Sequence, residues 1–241
     1  MRIAILSDIH GNMDAFISVL EAVDVLAPDA VYSLGDNIGY GPEPEAVITM
    51  LRQRQIPSVL GNHELALIEP DYLNWFNPLA RKSLEQSFQM LSEASVAFIS
   101  RMKPALSAFD CRFVHGFPPN SSTTYVFQAS DRAIRDTLAR LPERICFIGH
   151  THDLELISLA QHGVTRSRLV PGETRLKRDT SYLINVGSVG QPRDGTNQAK
   201  FALWDTDSHC LEIMAIPYDI DRVVNKIIEA GLPRQHANKL W

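Results

Sequence analysis

Short apolar runs punctuate this chain at Ile3–Leu6, Val31–Leu34, Ser58–Leu60, Cys111–Val114 and Ile145–Ile148, and each leads into a polar block that contains a glycine. Brief apolar runs bounded by turn residues read as buried strands. Between them the spacing becomes helical. From Met13 to Leu26, the positions Ala15, Val19, Ala22, Val23 and Leu26 fall on one face behind Asn12, a residue suited to N-capping. Glu43 to Arg54 repeats the pattern, with Pro42 and Pro44 near its start, where the fixed φ of proline is tolerated. Repeated strand, helix, strand units predict a largely parallel first sheet. Helical spacing returns at Pro78–Met90, at Glu93–Met102 (ended by Pro104) and at Arg132–Leu141 behind Ser130.

After Leu154 the helices give way. Leu154–Leu159, Val164–Leu169, Tyr182–Val186, Lys200–Trp204 and Cys210–Ile216 are strand-like runs separated by turns such as Gln161-His162-Gly163 and Asp205-Thr206-Asp207-Ser208. A meander of this kind predicts a second, mostly antiparallel sheet. The expected fold is α/β, a four-layer α/β/β/α sandwich of two mixed β-sheets flanked by helices. At 241 residues the chain suits one domain, 1–241. Residues 65–105 form a helical insertion that either caps a site or covers a sheet face.

The polar blocks carry the candidate chemistry: Asp8-Ile9-His10-Gly11-Asn12, Gly35-Asp36-Asn37, Gly61-Asn62-His63-Glu64, Val114-His115-Gly116 and Gly149-His150-Thr151-His152. Five of the eight histidines fall in them, each at a strand end. Strand ends along one sheet edge are where open α/β folds bind ligands. Carboxylates, imidazoles and one amide oxygen, without thiolate, suit manganese first, then iron or zinc, over an all-oxygen magnesium or calcium site. Two further residues are candidate phosphate contacts. Arg193, in the glycine- and proline-rich stretch Asn185–Gly195, can act as a fork or order its loop with Asp194. Asn12 opens a helix and can contact an anion or simply cap. Phe117–Phe127 is a candidate substrate loop. Tyr40 and Glu64 adjoin the blocks without an assigned role, and His162, His209 and His236 read as solvated turn or terminal residues.

Charge and cysteine narrow the partners. A net charge of -5 without any like-charge run makes a nucleic-acid polymer an unfavoured partner. Cys111, Cys146 and Cys210 show no CxxC spacing and read as buried free thiols of a reducing cytoplasm. No apolar stretch approaches the ~18 residues of a membrane span. The first strand runs directly into the first block and leaves no room for a signal segment.

The five blocks, in this order, resemble the calcineurin-like metallophosphoesterase superfamily from Arg2 to roughly Ala215. Asn185–Gly195 is similar to its small bacterial and archaeal phosphodiesterase-like branch. The resemblance implies a dinuclear-metal-dependent phosphoester hydrolase, a phosphodiesterase or phosphatase acting on a small phosphoester or nucleotide. Asp8, His10 and His152 would hold one divalent transition ion, Asn62, His115 and His150 the other, and Asp36 would bridge them, with a metal-bridging hydroxide attacking phosphorus in line. Two ions against Asp8, Asp36 and hydroxide leave roughly +1 at the centre of an acidic protein. Phosphate would meet Asn62 and His63, and His63 would protonate the leaving oxygen.

Two departures from the family pattern matter. Ser/Thr protein phosphatases and dinucleoside tetraphosphatases, the alternative readings, carry an Arg-Gly pair shortly after the second-block aspartate; here the chain reads Gly35-Asp36-Asn37-Ile38-Gly39-Tyr40-Gly41. Gly39 also replaces the aspartate that orients the catalytic histidine in the family, so the carboxylate that would hold His63 has no counterpart here. A non-catalytic scaffold would show broken ligand blocks, and every block here is filled.

Overall fold

The computed structural model describes residues 1–241. Its first half contains β1 (Arg2–Leu6), α1 (Met13–Leu26), β2 (Ala30–Ser33), α2 (Pro44–Gln53), α3 (Asn62–Ile68), α4 (Pro78–Gln89), α5 (Glu93–Ile99), β3 (Ala105–Ala108) and β4 (Cys111–Val114). The second half contains α6 (Asp131–Leu138), β5 (Ile145–Ile148), β6 (Leu154–Ala160), β7 (Gly163–Arg168), β8 (Gly172–Arg175), β9 (Ser181–Val186), β10 (Ala199–Asp205), β11 (Cys210–Ile216), α7 (Ile220–Glu229) and α8 (Arg234–Asn238).

Two mixed sheets result, in the orders β2-β1-β10-β11-β8 and β3-β4-β5-β9-β6-β7. In the first, β1 runs parallel to β2, with Ile3 opposite Ala30, and antiparallel to β10, with Ile3 opposite Trp204. In the second, β4, β5 and β9 are parallel, while β3, β6 and β7 pair antiparallel. The expectation of a parallel first sheet followed by an antiparallel second is thereby corrected. Lys200–Trp204 and Cys210–Ile216 return to the first sheet, and Cys111–Val114 and Ile145–Ile148 join the second.

Strand periodicity explains the layers. Ile3 and Ile5 point between the sheets, into a core with Phe113, Phe147, Ile184 and Trp204. Ala4 and Leu6 point outward to Phe16, Val19 and Leu51 of α1 and α2. A strand covered on both faces needs an unbroken apolar run, and Ile3 through Leu6 are fully buried. Each such side chain contributes roughly 1.5–3 kcal/mol by leaving water. On the outer face of the second sheet, Ile134 and Leu138 of α6 close a third cluster with Val114 and Ile148.

Several elements differ from the sequence reading. Ser58–Leu60 forms only isolated bridges, Ser33 to Ser58 and Val59 to Lys103. The short strands β3 and β8 and the C-terminal pair α7 and α8, which packs its own small cluster around Val223, Ile227 and Leu240, lie outside the apolar runs. Ser130 caps α6 through Ala133, and Asn12 caps α1 through Ala15. Ala66, Leu84 and Ile99 of the 65–105 segment belong to the first outer core. Cys111 and Cys146 are buried, whereas Cys210 is half-buried. No helix is long and apolar enough to cross a membrane.

Candidate metal centre

The ligand blocks follow the C-terminal ends of parallel strands: Asp8 after β1, Asp36 after β2, His115 after β4 and His150 after β5. The first two strands belong to one sheet and the last two to the other, so the site lies where both sheet edges meet. The turns are tight. Asp8, His10, Asp36, His150 and His152 all adopt left-handed backbone, with φ between 49° and 68°. For residues other than glycine this costs about 1–2 kcal/mol each and persists where surrounding contacts impose it. Backbone bonds impose it here: the Asp8 amide donates to Gly35 O at 3.0 Å, His10 to Asp36 O at 2.9 Å and Gly149 to His115 O at 2.9 Å. A Cβ at Gly149 would overlap the Ser7 hydroxyl and the Asp8 carboxylate.

Two groups of donors face inward, both fully or nearly buried. In the first, His10 Nε2 and His152 Nε2 approach to 3.0 Å, with Asp8 Oδ1 at 3.7 and 3.2 Å from them. Their other ring nitrogens donate to main-chain carbonyls, His10 Nδ1 to Ile38 O at 3.1 Å and His152 Nδ1 to Gln191 O at 2.6 Å. Carbonyls only accept, so in the neutral rings the protons sit on Nδ1 and both Nε2 atoms present lone pairs. Asp8 Oδ2 is tied to Ser7 Oγ at 2.5 Å and to the His150 amide at 3.0 Å, while Oδ1 is buried without a hydrogen-bond partner. Acceptors converge without a donor, and a cation satisfies that arrangement.

In the second group, His115 Nε2 lies 3.1 Å from Asn62 Oδ1, 3.1 Å from His150 Nδ1 and 3.3 Å from Asp36 Oδ2. His115 Nδ1 donates to Leu34 O at 2.9 Å and His150 Nε2 to Thr123 O at 3.2 Å. Burial opposes charge on His115, yet Asp36 and Asp8 outweigh it and raise its pKa to about 9. Burial instead lowers His150 to about 3 and His152 to about 4. This group therefore needs either one proton or a cation. Asp8, His10 and His152 form one candidate ligand set, and Asp36, His115 and His150 another.

Three neighbours clarify the supporting structure. Glu64, without a role in the sequence reading, is fully buried and accepts from the amides of Asp36 (2.8 Å), Asn37 (2.6 Å), Ile38 (3.3 Å) and Gly61 (3.1 Å) and from Asn37 Nδ2 (3.3 Å). Burial and the charge of Asp36 press its pKa up to about 7, and the amide donors pull the other way. It is the clamp that shapes the Asp36 turn. Asn12 is buried, with Oδ1 capping α1 and Nδ2 donating to Gly190 O at 2.9 Å, so its amide serves the fold. Arg193 is not paired with Asp194, which instead bonds Lys200 at 3.3 Å and Thr196 at 2.8 Å; the Arg193 guanidinium donates to Gln191 Oε1 at 3.3 Å.

His63 is held by rings. Its centroid lies 4.7 Å from those of His10 and Tyr40 and 5.1 Å from that of Phe76. A Cβ at Gly39 would overlap its Nδ1, which is buried without a partner. Gly39 therefore makes room for the imidazole. Burial lowers the His63 pKa to about 3. Tyr40 stands in turn on His236, 4.7 Å between centroids, and His236 is buried, which corrects its reading as a solvated terminal residue.

The metal-ligand candidates open onto a cleft of about 160 Å³ that Asp36, Asn62, His63, His150, His152 and Arg193 line on one side. Its other walls come from Tyr72, Trp75 and Phe76 of the 65–105 segment and from Thr123 and Tyr125 of the 117–127 loop. Arg193 also borders a larger groove of about 620 Å³ with Arg166 and Arg168. Arg166 is committed there to Glu155 at 3.3 Å and Arg168 to the carbonyl of Asp194.

Nitrogen and oxygen lone pairs that converge in two buried clusters suit a divalent metal. The chain belongs to the calcineurin-like phosphoesterase superfamily, whose domain matches residues 1–209. A metallophosphoesterase from Sphaerobacter thermophilus is 31% identical, with a TM-score of 0.86 over 100% of this chain and 98% of its own. A hypothetical protein from Pyrococcus horikoshii shares the fold at 17% identity, TM-score 0.82, over 100% and 97% of the two chains. An uncharacterized protein of Methanocaldococcus jannaschii is 28% identical over 244 residues, 99% of this chain and 97% of the relative. With this membership the chain is a metal-dependent phosphoester hydrolase.

Proposed function

We propose that this hydrolase is dinuclear, with Asp8, His10 and His152 holding one divalent ion, Asn62, His115 and His150 the other, and Asp36 shared between them. The placement of Asp36 carries this reading. Its Oδ2 stands 3.8 Å from His10 Nε2 of one group and 3.3 Å from His115 Nε2 of the other, while its Oδ1 is anchored by the His63 amide at 2.9 Å. Bound there, the ions supply Lewis-acid polarisation of the phosphoryl group and an acidified water. Manganese suits these donors, with iron or zinc as the other candidates.

The chain's own residues position the ester. His63 Nε2 lies 3.7 Å from Asp36 Oδ2 on the cleft wall, where a phosphoryl or leaving oxygen would meet an imidazole that burial keeps neutral. Negative charge arriving there favours the imidazolium, as a proton donor to the leaving oxygen requires. Asn62 and Arg193 reach the same space, the latter with a guanidinium suited to phosphate. Small phosphodiesters and phosphomonoesters, nucleotides included, are the proposed substrates. Metal content by mass spectrometry and turnover of bis(p-nitrophenyl) phosphate and p-nitrophenyl phosphate test the reading. Close to two transition ions per chain are expected, with activity abolished by chelation and restored better by Mn²⁺ than by Mg²⁺. Undiminished turnover by thoroughly stripped protein overturns it.

A further inference from the structure

The part of the cleft lining that holds no metal-ligand candidate has a composition that a phosphate-binding site does not itself require. Trp75 ends a 3-10 turn, Pro70–Trp75, and is a residue 76% exposed that lines the same cleft as Asp36, His63 and His150. Its one ring neighbour is Tyr72, with centroids 5.6 Å apart and planes inclined by 37°. Phe76, next in the chain, is turned inward against His63. Of the other aromatics that line the cleft, Tyr40 is enclosed by His10, His63 and His236, with centroids 4.5–4.7 Å away, and Tyr125 stacks on His150 at 3.7 Å and on Phe127 at 4.9 Å. The open stacking surface is therefore Trp75 with Tyr72. Apart from Asp36 and Arg193, the cleft lining carries no Asp, Glu, Lys or Arg.

Resting on the phosphoesterase reading above, we infer that the Trp75–Tyr72 wall is a nucleobase subsite and that the substrate is a nucleotide whose phosphate lies at the metal centre while its base stacks on the indole. The charge pattern decides between substrate classes. A polyphosphate or an acidic phosphopeptide needs cations along its path, and beyond Arg193 this cleft offers only uncharged side chains such as Tyr72, Trp75, Asn77 and Thr123. An indole left in water gains from a planar partner, and stacking of a base on an aromatic side chain contributes about 1–3 kcal/mol. That corresponds to roughly 10-fold to 100-fold in affinity at the middle of the range.

The test compares adenosine 5′-monophosphate with ribose 5-phosphate, two monoesters of the same primary alcohol that differ by the base. Their affinities for the full-length, Mn²⁺-loaded protein are measured by titration calorimetry, with and without Trp75→Ala. The nucleotide is expected to bind about 10-fold to 100-fold more tightly, and Trp75→Ala to bring the two affinities together. Trp75→Phe should keep most of the difference. An exposed indole supports no core, so Trp75→Ala should fold. Equal affinities in the unaltered protein overturn the inference, as does a difference that survives Trp75→Ala or a failure to bind either compound. Turnover of bis(p-nitrophenyl) phosphate judges the hydrolase separately. Turnover without a preference for the nucleotide removes the subsite alone, and a preference abolished by Trp75→Ala without turnover upholds the subsite and removes the hydrolase.

Discussion

Replacing Glu64 by glutamine changes one atom and almost no volume, yet the structure predicts a severe effect. Oε1 accepts from the Asn37 amide, Asn37 Nδ2 and the Ile38 amide, and Oε2 accepts from the amides of Asp36 and Gly61. A glutamine must place its NH₂ at one of these two positions, where donors then face donors. The less damaging orientation still strands the Asp36 and Gly61 amides. At about 1–3 kcal/mol for each buried donor left unpaired, Glu64→Gln should destabilise the metal-free protein by roughly 2–6 kcal/mol, against a typical total of about 5–15 kcal/mol. The Asp36 turn loses its clamp at the same time, so the affinity for divalent metal should fall about 10-fold to 100-fold, as for other supporting residues of metal sites. Urea denaturation of chelator-treated protein measures the first quantity and Mn²⁺ titration the second. Glu64→Ala serves as the control for lost packing. If Glu64→Gln stays within about 0.5 kcal/mol of the parent, the typical range of an inconsequential substitution, and Mn²⁺ affinity is unchanged, the clamp argument is refuted.

Three other outcomes follow from the site. His63→Asn should retain both ions and lower kcat by ~10²–10⁴, less for nitrophenolate leaving groups, whereas Asn62→Ala should lose occupancy of one ion; metal loss in His63→Asn would make His63 a ligand. Gly39→Ala adds a Cβ at φ +83° against the His63 ring, so kcat should drop about 10-fold or more at unchanged metal content, and an unaffected kcat would mean the ring contact does not position His63. Without ions His115 keeps a proton up to a pKa of about 9, and a metal needs the lone pair at its Nε2. Metal binding at pH 7.5 should therefore release about one proton and tighten as pH rises toward that pKa. Calorimetric heats that do not vary with buffer ionisation enthalpy contradict this.

Much of the site was legible because its chemistry is local. A carboxylate or imidazole keeps its ligand character wherever it sits, and an apolar run ending in a glycine-bearing turn marks the strand end that presents it. The blocks that carry Asp8, His10, Asp36, Asn62, His115, His150 and His152 were visible in this way, while the choice of these seven as ligands came from the family resemblance; the structure gathers them at one edge. Glu64 escaped because its role consists of five donors that become its neighbours only when the turns after β2 and before α3 close on each other. Trp75 and His236 escaped for the same reason. An aromatic in a loop and a histidine near a terminus have no local mark that tells a cleft wall or a buried stack from a solvated surface.

The sequence alone determined the α/β class, the strand and helix periods, and the nitrogen and oxygen donors on offer to a divalent metal. These depend on residue type and on spacing over a few neighbours. Tertiary structure alone decided which strands share a sheet, since nothing in an apolar run such as Ile3–Leu6 names its partner, and Ile3–Ile5 meets Ala202–Trp204, some two hundred residues away, only when the inner and outer faces of the sheet are both covered. It also decided how His63 is held, because packing between His10, Tyr40 and Phe76 joins three distant segments that no spacing along the chain relates.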